Sequence, residues 1–128
     1  MVYKRIILFF IGSLCHLTSC KEAIHVDGFD IDSWKKDTKG CANTRLALLA
    51  EFEQKIKPKL KGLSEKEVYT LLGKADINEL SKRNQKFYYY YIEKGNQCLD
   101  STTTTMARRI QIRFDAINNV SEVVIVYN

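Results

Sequence analysis

Apolar residues recur along this chain with three different spacings, and each spacing predicts a different element. Residues 6–17 form one apolar run, broken by Gly12, Ser13 and His16. Further on, Leu46, Leu49, Phe52 or Glu53, Ile56 and Leu60 step by three and four, which lays an apolar stripe along one face of a helix. Asn43 or Thr44 supplies the N-cap, and Pro58 predicts an end near Lys57. A second, shorter helix starts at Ser64-Glu65-Lys66-Glu67, a capping box. Leu63 and Val68 form its hydrophobic staple, Leu71 and Leu72 continue the buried face, and Gly73 supplies the left-handed C-terminal residue.

Beyond Gly73 the period becomes two. Residues 86–92, with Phe87, four consecutive tyrosines and Ile92, read as a strand. Residues 109–114 alternate, with Ile110, Ile112 and Phe114 on one face and Arg109, Gln111 and Arg113 on the other. Residues 120–127 form a final apolar strand that closes a hairpin with the one before it. Residues 76–80 read either as a short strand or as a loop. Two helices followed by three antiparallel strands predict an α+β two-layer sandwich, ααβββ, with the helices on one face of the sheet.

Consecutive strand residues point to opposite faces, so the tyrosines divide into two pairs. Ile92 shares parity with Tyr88 and Tyr90, which places that pair inward and leaves Tyr89 and Tyr91 on the open face. If the next strand pairs alongside, Arg109, Gln111 and Arg113 lie beside them. Tyrosine with arginine is the composition enriched at interface hot spots, so these five residues form the candidate partner-binding surface. The alternative is simple cross-strand pairing on an antiparallel sheet.

The apolar run near the start changes the picture from a plain domain to an addressed one. Its 12 residues would span about 18 Å as a helix, short of the roughly 30 Å hydrocarbon core of a bilayer. With Lys4 and Arg5 ahead of it, the run reads as a secretory signal peptide. Leu17-Thr18-Ser19-Cys20 resembles the lipobox of bacterial lipoproteins, which implies a diacylated Cys20 as the mature N-terminus and membrane attachment through its lipid. A signal peptide followed by a chance cysteine is the alternative. Lys21 after the cysteine implies the outer membrane rather than inner-membrane retention, with the periplasmic or surface side left open. The expected organisation is a signal peptide at 1–19, a tether at 20–33 and a domain at 34–128, with Phe29, Ile31 and Trp34 docking the tether.

Cysteine usage follows from this address. Cys15 leaves with the signal and Cys20 carries lipid, so Cys41 and Cys98 remain in an oxidising compartment and are expected to pair. A reactive pair or a metal site is the rival reading. A metal needs three or four ligands, whereas the mature chain retains only His25 as an imidazole, and no C-x-x-C motif is present. Net charge falls from +5 to +3 when Lys4 and Arg5 are removed. That excess calls for no nucleic acid.

Catalytic constellations are not evident. Glu51, Glu53, Glu65 and Glu67 are explained by helix surface and capping, and Asp30 and Asp32 lack a calcium-loop spacing. No glycine-rich phosphate loop follows a strand. The expectation is a chain without catalytic residues, metal or cofactor.

The stretch from Gly62 to Asp76, with Gly62-Leu63-Ser64, Val68 and Leu71-Leu72-Gly73-Lys74-Ala75-Asp76, is similar to the motif of small outer-membrane lipoproteins of the BamE/SmpA type. The same layout is shared with the β-lactamase-inhibitor-like fold group. Ala75 stands where that family usually has proline, and Cys41 and Cys98 are additions. The resemblance implies a non-catalytic envelope lipoprotein that binds a protein partner, in outer-membrane assembly or maintenance. An inhibitor or immunity-type lipoprotein that binds a secreted enzyme, or a structural envelope lipoprotein, are the alternatives.

Overall fold

The computed structural model describes residues 24–99 and 106–127. The expected signal peptide and the lipobox Cys20 lie outside them. The chain is α+β, with a sheet of four antiparallel strands in the order β1-β2-β3-β4. They are β1 (Ile77–Leu80), β2 (Lys86–Tyr91), β3 (Arg109–Phe114) and β4 (Val120–Val126). The expected three strands are therefore corrected to four. Residues 77–80, open between strand and loop on sequence, pair with β2 from Ile77 opposite Tyr89 to Leu80 opposite Lys86. Three of the four β1 residues are exposed, so no alternating apolar signal marks them.

The helical layer also differs in count. Helix α1 (Ile31–Lys36) begins inside the segment expected to be tether, because Asp30 caps it by accepting the Ser33 N–H at 3.0 Å. Phe29 is buried and Trp34 wholly so. Trp34 stacks on Phe52 at 4.8 Å and 12°, an aromatic pair worth about 1 kcal/mol beyond its buried area. A 3-10 turn at Thr38–Gly40 follows.

The predicted first long helix is a helical run in pieces: α2 (Thr44–Ala47), α3 (Leu49–Glu51), a π-helical turn at Phe52–Ile56, and α4 (Lys57–Leu60). Pro58 lies in the first turn of α4 rather than ending the run near Lys57. Pro58 has no N–H to offer the carbonyl four residues back, and its ring crowds that carbonyl. The widened turn immediately before it, where the Lys57 N–H reaches Phe52 O, is a regular way to absorb such an insertion. Phe52, Ile56 and Leu60, spaced by four, are buried, while Glu53 is exposed. Helix α5 (Glu65–Leu72) carries the capping box in full: Ser64 Oγ accepts the Glu67 N–H at 3.3 Å and the Ser64 N–H donates to Glu67 Oε2 at 2.8 Å. Gly73 closes it at φ 80°.

All these helices contribute to one core with one face of the sheet. Phe52, Ile56, Leu60, Val68 and Leu72 meet Tyr90, Ile92, Ile110, Ile112 and Phe114 there. The β3–β4 hairpin forms as expected, with the Asp115 N–H donating to Asn119 O at 2.8 Å. A bulge between Arg113 and Phe114 on β3 and their partners on β4 adds local twist.

Candidate functional site

The face of the sheet turned away from the helices is built in rows. Tyr89 pairs with Ile77 on one side and Gln111 on the other, and Gln111 continues to Val124. Tyr91 pairs with Arg109, and Phe87 with Arg113, which continues to Glu122. The register thus brings Tyr89, Tyr91, Arg109, Gln111 and Arg113 onto one surface.

Their packing differs from a bare patch. The Arg109 guanidinium carbon stands 4.2 Å from the centre of the Tyr89 ring, a cation–π contact worth about 1 kcal/mol where partly desolvated. Phe87 flanks the same ring at 6.3 Å. Arg113 Nε lies 3.2 Å from Glu122 Oε2, a cross-strand ion pair. Tyr89 and Tyr91 are each only 6% exposed, so the outward tyrosines are covered, and Arg109, Gln111 and Arg113 are half-buried beside them. Burial raises the Tyr89 phenol above its ordinary pKa, Glu79 adds to the rise, and Arg109 opposes it. On the helix side burial pushes Tyr88 up to about 12 and Tyr90 higher still. These phenols are neutral at physiological pH and serve as hydrogen-bond donors, as Tyr88 does to Glu65 and Tyr90 does to Gly73 O.

A buried polar network holds the end of this surface in place. Asp76 Oδ2 accepts the Tyr91 N–H at 2.8 Å and Arg45 Nη1 at 2.6 Å, while the same Nη1 donates to Tyr91 O at 3.1 Å. Arg45 Nε donates to Trp34 O at 3.2 Å. The guanidinium also lies 5.2 Å from the Trp34 ring and 5.6 Å from the Tyr90 ring. Both backbone groups of Tyr91 are therefore clamped by one ion pair.

Asp37 supports Arg45 from below, since its carboxylate accepts the N–H of Ala42 at 2.8 Å and of Arg45 at 2.9 Å. Asn43 is the N-cap residue of α2, as expected, but its side chain makes no cap hydrogen bond, and the Asp37 carboxylate takes the Arg45 N–H instead. Asn43 sits in the left-handed region and turns its side-chain oxygen to the Lys94 N–H at 2.8 Å. Cys41 and Cys98 stand at disulfide distance with their Cα atoms 5.7 Å apart, tying the turn after α1 to the turn at Asn96–Cys98.

Sequence reasoning missed Arg45 and Asp37 altogether, and took Asp76 as the end of a motif and the start of a short strand or loop, not as a buried ion-pair partner. Arg45 precedes an apolar stretch, and nothing local distinguishes it from a surface arginine. Among the described residues, no group of three or more His, Cys, Asp or Glu side chains is placed to hold a metal ion. His25 pairs with Asp27 at 2.8 Å in full exposure. No described helix is long and apolar enough to cross a membrane.

Compared with family models, with curated proteins and with solved structures, the chain matches none.

Proposed function

We propose that this chain is a non-catalytic, lipid-anchored lipoprotein of the outer membrane that binds a protein partner through the open face of its sheet. The observation that carries the reading is the joined array of Tyr89, Tyr91, Arg109, Gln111 and Arg113. Four of the five sit in directly opposed pairs across β2 and β3. The Arg109 guanidinium over the covered Tyr89 ring and the Arg113 guanidinium held by Glu122 are donors on a pre-ordered base, so little of their side-chain freedom is lost on binding. The clamp on Tyr91 extends that pre-ordering into the backbone. The titrating groups of the array are phenols and guanidiniums, which suit recognition rather than acid–base chemistry near neutral pH. The BamE/SmpA-like motif at Gly62 to Asp76 and the lipobox are consistent with an envelope partner.

Arg113→Ala combined with Gln111→Ala removes donors without disturbing the buried tyrosines. Mild crosslinking in cells should capture a defined envelope complex with the parent chain and lose it with the double variant. Capture that is unchanged while circular dichroism stays native sinks the sheet-face reading. Cys20→Ala should release the protein from the membrane fraction or block its processing; unaltered fractionation rules out the anchor.

A further inference from the structure

A pocket of about 260 Å³ opens beside the Arg45–Asp76 pair, between α1 and the segment that follows α5. Its walls carry Lys35, Thr38, Lys39 and Lys74, and the Arg45–Asp76 pair borders it. We infer that this pocket binds a phosphate group, as inorganic phosphate or a phosphomonoester. The inference does not depend on the proposed partner surface, none of whose five residues lines the pocket.

The charge balance favours an anion. Four cationic side chains line the pocket against one carboxylate, Asp76. Both Asp76 oxygens are already taken, Oδ1 by the Lys39 N–H at 3.0 Å and Oδ2 by Arg45 and the Tyr91 N–H. Arg45 donates through Nε and Nη1, and no hydrogen bond from Nη2 is formed among the described residues. Lys39 and Lys74 take part in no ion pair there either. Lys35 caps the C-terminal turn of α5 by donating to Thr70 O at 2.7 Å, which leaves its ammonium with two further protons to give. Lys35 and Lys74 are exposed at the rim and Lys39 is half-buried, while the Arg45 guanidinium is buried at the wall, where charge is screened less than on open surface.

The backbone supplies a second reason. Lys39 is held at φ 59°, ψ 16°, the left-handed region. A residue with a Cβ costs roughly 1–2 kcal/mol there, while glycine does not. The conformation is pinned from both sides, by the Lys39 N–H to Asp76 and by Gln97 donating to Lys39 O at 3.0 Å. Glycine would adopt this conformation at lower cost, and lysine here places a cation on the pocket wall. A phosphate dianion matches a pocket lined by three lysines and an arginine better than a carboxylate does, which carries less charge and fewer acceptor sites.

The test titrates inorganic phosphate into the full chain held in uncharged detergent, read by calorimetry at fixed ionic strength. A saturable single site is expected. Lys39→Gly with Lys74→Gln, which suits the backbone at both positions, should weaken it tenfold or more without moving the urea midpoint downward. Lys57→Gln with Lys82→Gln, away from the pocket, should leave it unchanged. Vesicles of phosphatidylcholine with and without phosphatidic acid separate the sources. Phosphatidic acid retention that phosphate competes away assigns a headgroup, and phosphate binding without retention assigns a soluble ligand. Linear uptake of phosphate without saturation, or equal losses from both lysine pairs, overturns the inference.

Discussion

Arg45 Nη1 lies 2.6 Å from Asp76 Oδ2 with both side chains almost wholly removed from solvent, at 2% and 3% exposure. The pair spans 31 positions of sequence and joins the start of the helical run to the strand edge at Tyr91. Removing one member of such a pair leaves the other charge buried without compensation, at about 3–5 kcal/mol. Asp76→Asn and Arg45→Met should each lower stability by that much in urea unfolding. The double variant should lose less than the sum, since the surviving charge is gone as well. Losses below about 1 kcal/mol for both single variants would mean that the pair behaves as a surface salt bridge.

Gly40 is the second point where the turn after α1 meets β2. A Cβ on Gly40 would stand 2.9 Å from Glu93 N, Ile92 C and Tyr91 O, all backbone atoms, at φ +68°. Nothing at that contact can rotate aside. Gly40→Ala should therefore cost about 2–3 kcal/mol, through strain and overpacking together. Gly62 has φ +85° but no atom within 4 Å of an added Cβ, so Gly62→Ala should cost only about 1 kcal/mol. Paired urea midpoints read the difference, and equal shifts would contradict the packing argument.

Elements specified by nearby residues were legible in the sequence, and those specified across the fold were not. The capping box at Ser64 and Glu67 closes over three positions, so its residues announce it. Strand parity placed Tyr90 inward and Tyr89 outward, as the register has them. Parity says nothing about cover, however, and Arg109 lying on Tyr89 turns an expected exposed ring into a buried one. The N-cap position at Asn43 was legible, but the acceptor that serves the first turn was not, because Asp37 reaches Arg45 from eight positions upstream. β1 stayed open between strand and loop because its pairing with β2, rather than its own exposed side chains, makes it a strand. Arg45 escaped for the same kind of reason: its counter-ion lies in another element.

Cys41 and Cys98 are 57 positions apart in sequence. Closing a loop of that length restricts the unfolded chain by up to about 4 kcal/mol in the chain-entropy model. Non-reduced peptide mapping by mass spectrometry should show the linked pair. Replacing both cysteines with alanine should lower the unfolding free energy by about 2–4 kcal/mol. Two free thiols in protein taken from the envelope, or a urea midpoint indifferent to reduction, would remove the bridge from the account.

Acid stability should depend on two glutamates that hold β2 to its neighbours. Hydrogen bonds from the Arg108 side chain and N–H draw Glu93 below its ordinary value of 4.5. For Glu65 burial acts upward, but hydrogen bonds from Lys86 and Tyr88 outweigh it, and the net direction is again downward from 4.5. A carboxyl group whose folded pKa is depressed contributes stability that is present above its unfolded value. That contribution is lost as pH falls through the folded one. The unfolding free energy should therefore hold steady from neutral pH to about 5 and decline below about 4.5. Glu93→Gln removes one of these protonation events and replaces a charged acceptor with an amide, so it should lower stability at pH 7 and flatten the decline. Urea unfolding at pH 7, 5 and 3 measures both effects. If the parent and the Glu93→Gln variant lose the same free energy between pH 5 and 3, the Arg108–Glu93 pair carries no part of the acid response.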